Sequence, residues 1–257
     1  MSTLLKTTAV EGKLFLREPM SVIFGVLFPT ALLLGLGAIP ALREPSDEFD
    51  GARFVELWTP TALVLGLAIL GLQHIPGVVA TYRENGILRR MSTTPVHPAK
   101  LLVAQLTVAL VAAVVAAVLL IIAAWLVLDV SPPEYPFTFA LAFLVGFGAL
   151  LAIGLLIAAV APNARAASGL AIFVFMLVML VGGVYMPRFL MPEFLIRLGD
   201  YTPPGVQALL DAWLGDTAAA AAVGSTTAGP SEPLQLGIMG LIAVVAGWSA
   251  ARLFRWE

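Results

Sequence analysis

The chain has two histidines, His74 and His97, and no cysteine. Disulfides, thiolate metal sites and a cysteine nucleophile are therefore excluded, and two histidines are too few for a histidine metal cluster. No GxxxxGK followed by Ser or Thr is present to cradle nucleotide phosphates. There is no HExxH to hold zinc, and no GxSxG stands before a helix. The polar pair Gln73–His74 sits near the end of a long apolar run. An ionisable side chain at that depth reads as functional, here as a point on a solute path. The alternative is a helix–helix hydrogen bond or an imidazole at interface depth. Phe173, Phe175, Met176 and Met179 are soft surface that either lines a path for an apolar cargo or simply packs. Pro29, inside another apolar run, is a hinge or a fixed kink.

The second chemical concentration is basic. YRENGILRRMSTTPVHPAK (82–100) sets Arg83, Arg89, Arg90 and Lys100 against one acid, Glu84. A short helix is predicted from about Tyr82 to Met91. Ile87 and Leu88 lie four and three residues before Met91, so the three share a face. Pro95 and Pro98 then turn the chain. The product is a short amphipathic helix at the membrane surface, available to a soluble partner. The competing reading is a basic loop that only sets topology.

The elements that position these residues follow from composition. Hydrophobic residues make up 60% and charged residues 12%, and the mean hydropathy is +0.98. The expected fold is an all-α integral membrane domain over residues 1–257 with six spans, at about 20–39, 58–81, 101–128, 137–161, 169–186 and 234–253. Residues 1–19 form an interfacial amphipathic helix with Lys6, Lys13 and Arg17 on one face, while Glu11 spoils the apolar side. In span four, Gly146, Gly148 and Gly154 permit close helix contact. Residues 82–100 form the loop between spans two and three. The Pro-broken segment 187–233 holds two short helices, PEFLIRL and VQALLDAWL, which dip into or lie on the outer leaflet. Ten of the 14 Lys and Arg fall on the side of the termini, so both termini are expected in the cytoplasm.

The stretch 82–106 resembles the central loop of the ABC-2 type permeases, in which R-E-x-G-x-L-x-R is followed by Leu or Met, then T-x-P and the third span. The REP at 17–19, Pro29 ten residues on, and the outer segment 186–213 are similar to the same family in the same order. The drug- and antibiotic-exporting branch looks closest. The resemblance implies the transmembrane subunit of an ABC exporter in a bacterial plasma membrane, itself not an enzyme. It implies no cofactor, metal or nucleic acid on this chain. ATP and Mg would sit on a separate nucleotide-binding ATPase present in two copies, and the chain would pair with a second permease copy or a paralogue amid membrane lipid. It also implies that Arg83, Glu84, Gly86, Ile87, Leu88, Arg89, Arg90 and Met91 form the coupling helix that docks into the ATPase, although Asn85 departs from the usual Glu or Gly. Pro29, Gln73, His74, Phe173, Met176 and Met179 are the expected substrate path. Two other readings stay open: a membrane assembly factor whose basic loop recruits another cytoplasmic protein, and an intramembrane enzyme, which lacks a catalytic set.

Overall fold

Within hydrocarbon a chain must satisfy its backbone hydrogen bonds internally, and long Ala, Val and Leu runs do so as helices. Among the residues it describes, the computed structural model builds six helices long and apolar enough to cross a membrane. It describes residues 3–46, 51–92, 98–186, 190–215 and 232–254, and among these no β-strand occurs. Helix α1 spans Thr3–Leu16. The first two spans are α2 (Pro19–Gly37) and α3 (Phe54–Glu84). A short α4, Ile87–Ser92, follows, then spans α5 (Ala99–Leu128), α6 (Pro136–Val160) and α7 (Ala164–Val181). Two short helices, α8 (Glu193–Asp200) and α9 (Val206–Leu214), precede the last span, α10 (Glu232–Leu253). The fold is an all-α integral membrane fold. Its outward faces stay apolar, with Val111, Val118 and Ile122 of α5 and Leu241 and Val244 of α10 exposed, as side chains facing lipid should be.

Helix boundaries depart from the sequence expectation for identifiable reasons. The second span begins at Phe54, where the Glu56 carboxylate accepts from the Arg53 backbone N–H at 3.0 Å and from its guanidinium at 2.9 and 2.7 Å. It ends at Glu84 rather than 81, so its 31 residues reach about 46 Å. The fifth span is shifted towards the N-terminus, to Ala164–Val181 instead of 169–186. The Asn163 side chain accepts the Ala166 N–H at 2.8 Å, an N-cap that starts the helix inside the expected turn. Gly183, at φ +79°, terminates it.

Prolines shape the two helices that carry the polar residues. Pro29 lacks an N–H for the carbonyl four residues back, and its ring crowds that carbonyl. The preceding turn, Ile23–Leu27, widens to π-helix. The same occurs before Pro76, where Ile69–His74 is π-helical. These widened turns meet. A Cβ on Gly66 would lie 2.9 Å from Pro29 Cγ and 3.0 Å from the Gly25 carbonyl oxygen, and one on Gly25 would lie 2.6 Å from Leu70 Cδ2. Helix α6 crosses the second π turn: a Cβ on Gly154 would sit 2.1 Å from the Gly71 carbonyl oxygen. Gly146 abuts the Pro204 carbonyl oxygen in the same way, at 2.1 Å. Gly148 does not serve as expected, because nothing lies within 4 Å of its would-be Cβ.

At the end of the bundle away from α1, α9 packs between α3 and α6 with most of its side chains buried. Trp213 meets Phe139 edge-on at 5.4 Å. The Glu134 and Tyr135 N–H groups donate to the Trp213 and Ala212 carbonyls at 3.1 and 3.0 Å. Arg53 also donates to the Leu128 and Asp129 carbonyls at 3.0 and 2.7 Å, and Arg43 to the Val127 carbonyl at 3.0 Å. Both arginines thus serve the orphan carbonyls that close α5. Arg53→Ala removes the guanidinium pair with Glu56 at the start of α3 and a clamp on α5 together. It is expected to destabilise the protein by about 1–3 kcal/mol, measured as a lowered thermal midpoint in detergent; an unchanged midpoint would remove this role.

Candidate functional site: the basic elbow and the cleft above it

The expected single helix from Tyr82 or Arg83 to Met91 is two helices. Arg83 and Glu84 are the last turn of α3. The chain then reverses at Asn85–Gly86, where Gly86 takes φ +67°, a left-handed conformation that other L residues adopt only with strain. The Gly86 N–H closes on the Arg83 carbonyl and the Arg90 N–H on the Gly86 carbonyl, both at 3.0 Å. One glycine therefore ends α3 and starts α4. The face predicted from spacing is real: Leu88 is buried, and Ile87 and Met91 pack half-buried against the core. Glu84, Arg89 and Arg90 are exposed on the other side. Arg83 turns inward, donating to the Ala158 carbonyl at 2.9 Å and to the Ala161 carbonyl. It closes the end of α6, which sets it apart from the exposed face. Residues 93–97, with Pro95 and His97, lie outside the described residues.

The residue that seemed to spoil the apolar side of α1 proves central. Glu11 is 5% exposed, on the same face as buried Phe15, and α1 lies along α5. The Tyr82 hydroxyl donates to Glu11 Oε2 at 2.8 Å, and Gln105 Nε2 donates to the same oxygen. Burial pushes the Glu11 carboxyl above its ordinary range, opposed in part by the Tyr82 bond. The cluster ties α1 to α3 and α5 at the two ends of the elbow. Sequence reasoning missed it because the partners stand far apart in the chain; the one local signal was Glu11 four residues before Phe15.

A cleft of about 730 Å³ opens beside it, walled by α2, α3 and α7 and by the end of α1. Gln73 and His74 line it. His74 is held by Ser21 Oγ at 2.9 Å and Glu18 Oε2 at 3.3 Å, both to Nδ1. Phe15 meets the imidazole edge-on at 5.1 Å. Its Nε2 is buried without a partner among the described residues. The hydrogen bond with His74 draws the Glu18 carboxyl below its ordinary range. Of the soft residues in α7, Phe175 lines the cleft, whereas Phe173 and Met176 are exposed on the other side of the helix and Met179 is 0% exposed in the core. Pro29 is packed against Gly66 and is not part of the lining. The structure thus gathers Gln73, His74 and Phe175, and leaves Pro29, Phe173, Met176 and Met179 elsewhere. Among the described residues no group of three His, Asp or Glu is placed to hold a metal.

Residues 5–204 match the family model described as ABC-2 type transporter. The chain belongs to this family. No curated protein matches it significantly. The ABC-2 match opens in α1 and closes at Pro204, ahead of α9. It therefore takes in the Glu11 cluster, the elbow and the cleft. An ABC-2 chain is the membrane component of a transporter, so this is an ABC transporter permease that crosses the membrane several times.

Proposed function

We propose that the chain is the permease subunit of an ATP-driven exporter in a bacterial plasma membrane, with both termini in the cytoplasm. It moves an amphipathic or hydrophobic small molecule of drug, antibiotic or lipid-like type outward. ATP and Mg reside on two copies of a separate ATPase subunit, and a second permease copy or a paralogue completes the assembly. The observation that carries this reading is α4. Its apolar side is seated on the bundle, its cationic side is presented outward, and one residue pair joins it to the most buried span.

The mechanism follows from the connections. When the ATPase subunits close on ATP, they displace α4. A helix seated by Leu88 and joined to α3 through Gly86 moves with its span. Arg83 carries the displacement to the end of α6, and the Tyr82–Glu11–Gln105 bonds carry it to α1 and α5. The end of α1 and the long wall from α3 belong to these elements, so the cleft changes shape as they rock against α2 and α7. Its lining sets apolar side chains such as Phe24, Ile69 and Phe175 beside polar ones that include Glu18, Gln73 and His74, which suits an amphipathic cargo entering from the inner leaflet.

The test is charge reversal on the exposed face. Glu84→Arg with Arg89→Glu leaves the buried face of α4 intact. The double variant is expected to reach the membrane normally, to lose co-purification of its ATPase by more than about tenfold, and to lose transport. Complex and transport surviving together would refute the coupling role, and retention of a different cytoplasmic protein in place of an ATPase would favour the assembly-factor reading.

A further inference from the structure

Among the described residues, the lining of the cleft carries one carboxylate and neither lysine nor arginine. Glu18 contributes its side chain, 48% exposed. The nearest basic residues in sequence, Lys13, Arg17 and Arg165, are exposed and outside the lining; Arg83 is engaged at the end of α6. The remaining titratable groups there are His74, at Glu18 itself, and Tyr82, at Glu11. Behind Glu18 the walls are apolar, formed by Phe24, Ile69, Val78 and Phe175.

We propose that this cleft selects an amphipathic organic cation, its protonated amine held at Glu18 and its apolar body laid against Phe24, Ile69, Val78 and Phe175. The proposal rests on reading the cleft as the cargo path and names the class of cargo. A fixed negative charge beside an apolar wall favours a ligand carrying both complements and disfavours an anion of the same shape. The hydrogen bond from His74 keeps Glu18 in its ionised form. The volume, about 730 Å³, lies within the range of sites that enclose drug-sized molecules. The amine of a lipid headgroup would offer the same charge, but the apolar wall of Phe24, Ile69, Val78 and Phe175 suits a compact apolar body, and a free amphiphile is the occupant we assign.

The probes are N-dansyl-1,8-octanediamine and its N′-acetyl analogue, which share the apolar body and differ in charge. Binding is read by dansyl fluorescence on the purified full chain in phosphatidylcholine nanodiscs. The amine is expected to bind at least about tenfold more tightly than the acetyl analogue, the margin of a close charge pair between binding partners. Glu18→Gln should abolish that preference while changing the affinity of the acetyl probe less than about twofold, and Glu18→Asp should keep it. Thr81→Lys leaves Glu18 and His74 untouched but adds a cation to the lining; it should abolish the preference too. Equal binding of both probes to the wild-type chain overturns the proposal. So does a preference that survives Glu18→Gln and Thr81→Lys, or a Glu18→Gln variant that weakens both probes alike. Replacing half the lipid by phosphatidylethanolamine should leave the preference in place; its loss would assign the site to the lipid headgroup and overturn the free-amphiphile assignment. No ATPase and no transport enter this measurement, so it can fail while the exporter reading stands, and it can succeed while the charge reversal on α4 refutes that reading.

Discussion

Gly154→Val is expected to prevent stable assembly of the bundle. The would-be Cβ falls 2.1 Å from the Gly71 carbonyl oxygen and 3.3 Å from its carbon. Both atoms are backbone of α3, so no rotamer change relieves the clash. Overpacking in a core costs about 1–3 kcal/mol where side chains can yield, and a main-chain obstacle places this substitution at or above the top of that range. Helices α3 and α6 would have to separate at the π-helical turn Ile69–His74, which also positions His74. The expected readout is loss of the folded peak in detergent size-exclusion chromatography and a large drop in thermal midpoint. Gly148→Val, on the same helix with open space around it, is the control and should behave as wild type. Equal behaviour of the two variants would show that the crossing is not close.

Glu11→Ala is the second large effect. It strips the shared acceptor from the Tyr82 hydroxyl and the Gln105 amide. A buried donor left without a partner costs about 1–3 kcal/mol; here, at the root of α1, the Gln105 amide and the half-buried Tyr82 hydroxyl lose their shared acceptor and keep, among the described residues, only their mutual contact at 3.4 Å. The helix is expected to lose its docking on α5 and to become accessible to protease at Lys6 and Lys13, with a lowered thermal midpoint. Glu11→Gln separates charge from hydrogen bonding, since its amide oxygen still accepts both donors. The folded carboxyl is raised by burial, so its protonated form favours the docked state. That contribution is fully present below the ordinary carboxyl value of 4.5 and is lost as pH rises through the raised folded value. The Gln variant should therefore match the wild type at acid pH, equal or exceed it at neutral pH, and show a flatter pH profile of stability. A Glu11→Ala protein with wild-type protection of α1 would remove the cluster from the account.

The same particulars show where sequence reasoning stops. The amphipathic character of α4 was legible, because Ile87, Leu88 and Met91 recur at helical spacing and local spacing dictates a shared face. The break at Gly86 was equally available in principle, since a glycine after the last turn of a helix is a stop signal; the continuous basic pattern on either side concealed it. The roles of Arg53 and Arg83 were not legible. Arg53 looked like a topology charge and Arg83 like part of the coupling helix, and each proved to close the end of a helix at least 75 residues away in the chain. In α7, Phe173, Met176 and Met179 looked like one soft surface, but their angular spacing sends the first two outward and the third into the core.

Composition and periodicity alone determined that this protein crosses the membrane as six helices with a charged elbow between the second and third. Hydrocarbon leaves a chain few ways to satisfy its backbone, and helical spacing is a local property. Which polar groups meet was decided by tertiary structure. Glu11 finds Tyr82 and Gln105, and His74 finds Ser21 and Glu18, because proline-widened turns and glycine-lined crossings bring α1, α2 and α3 within hydrogen-bonding distance. Those contacts depend on the relative placement of whole helices, which no short window of residues encodes.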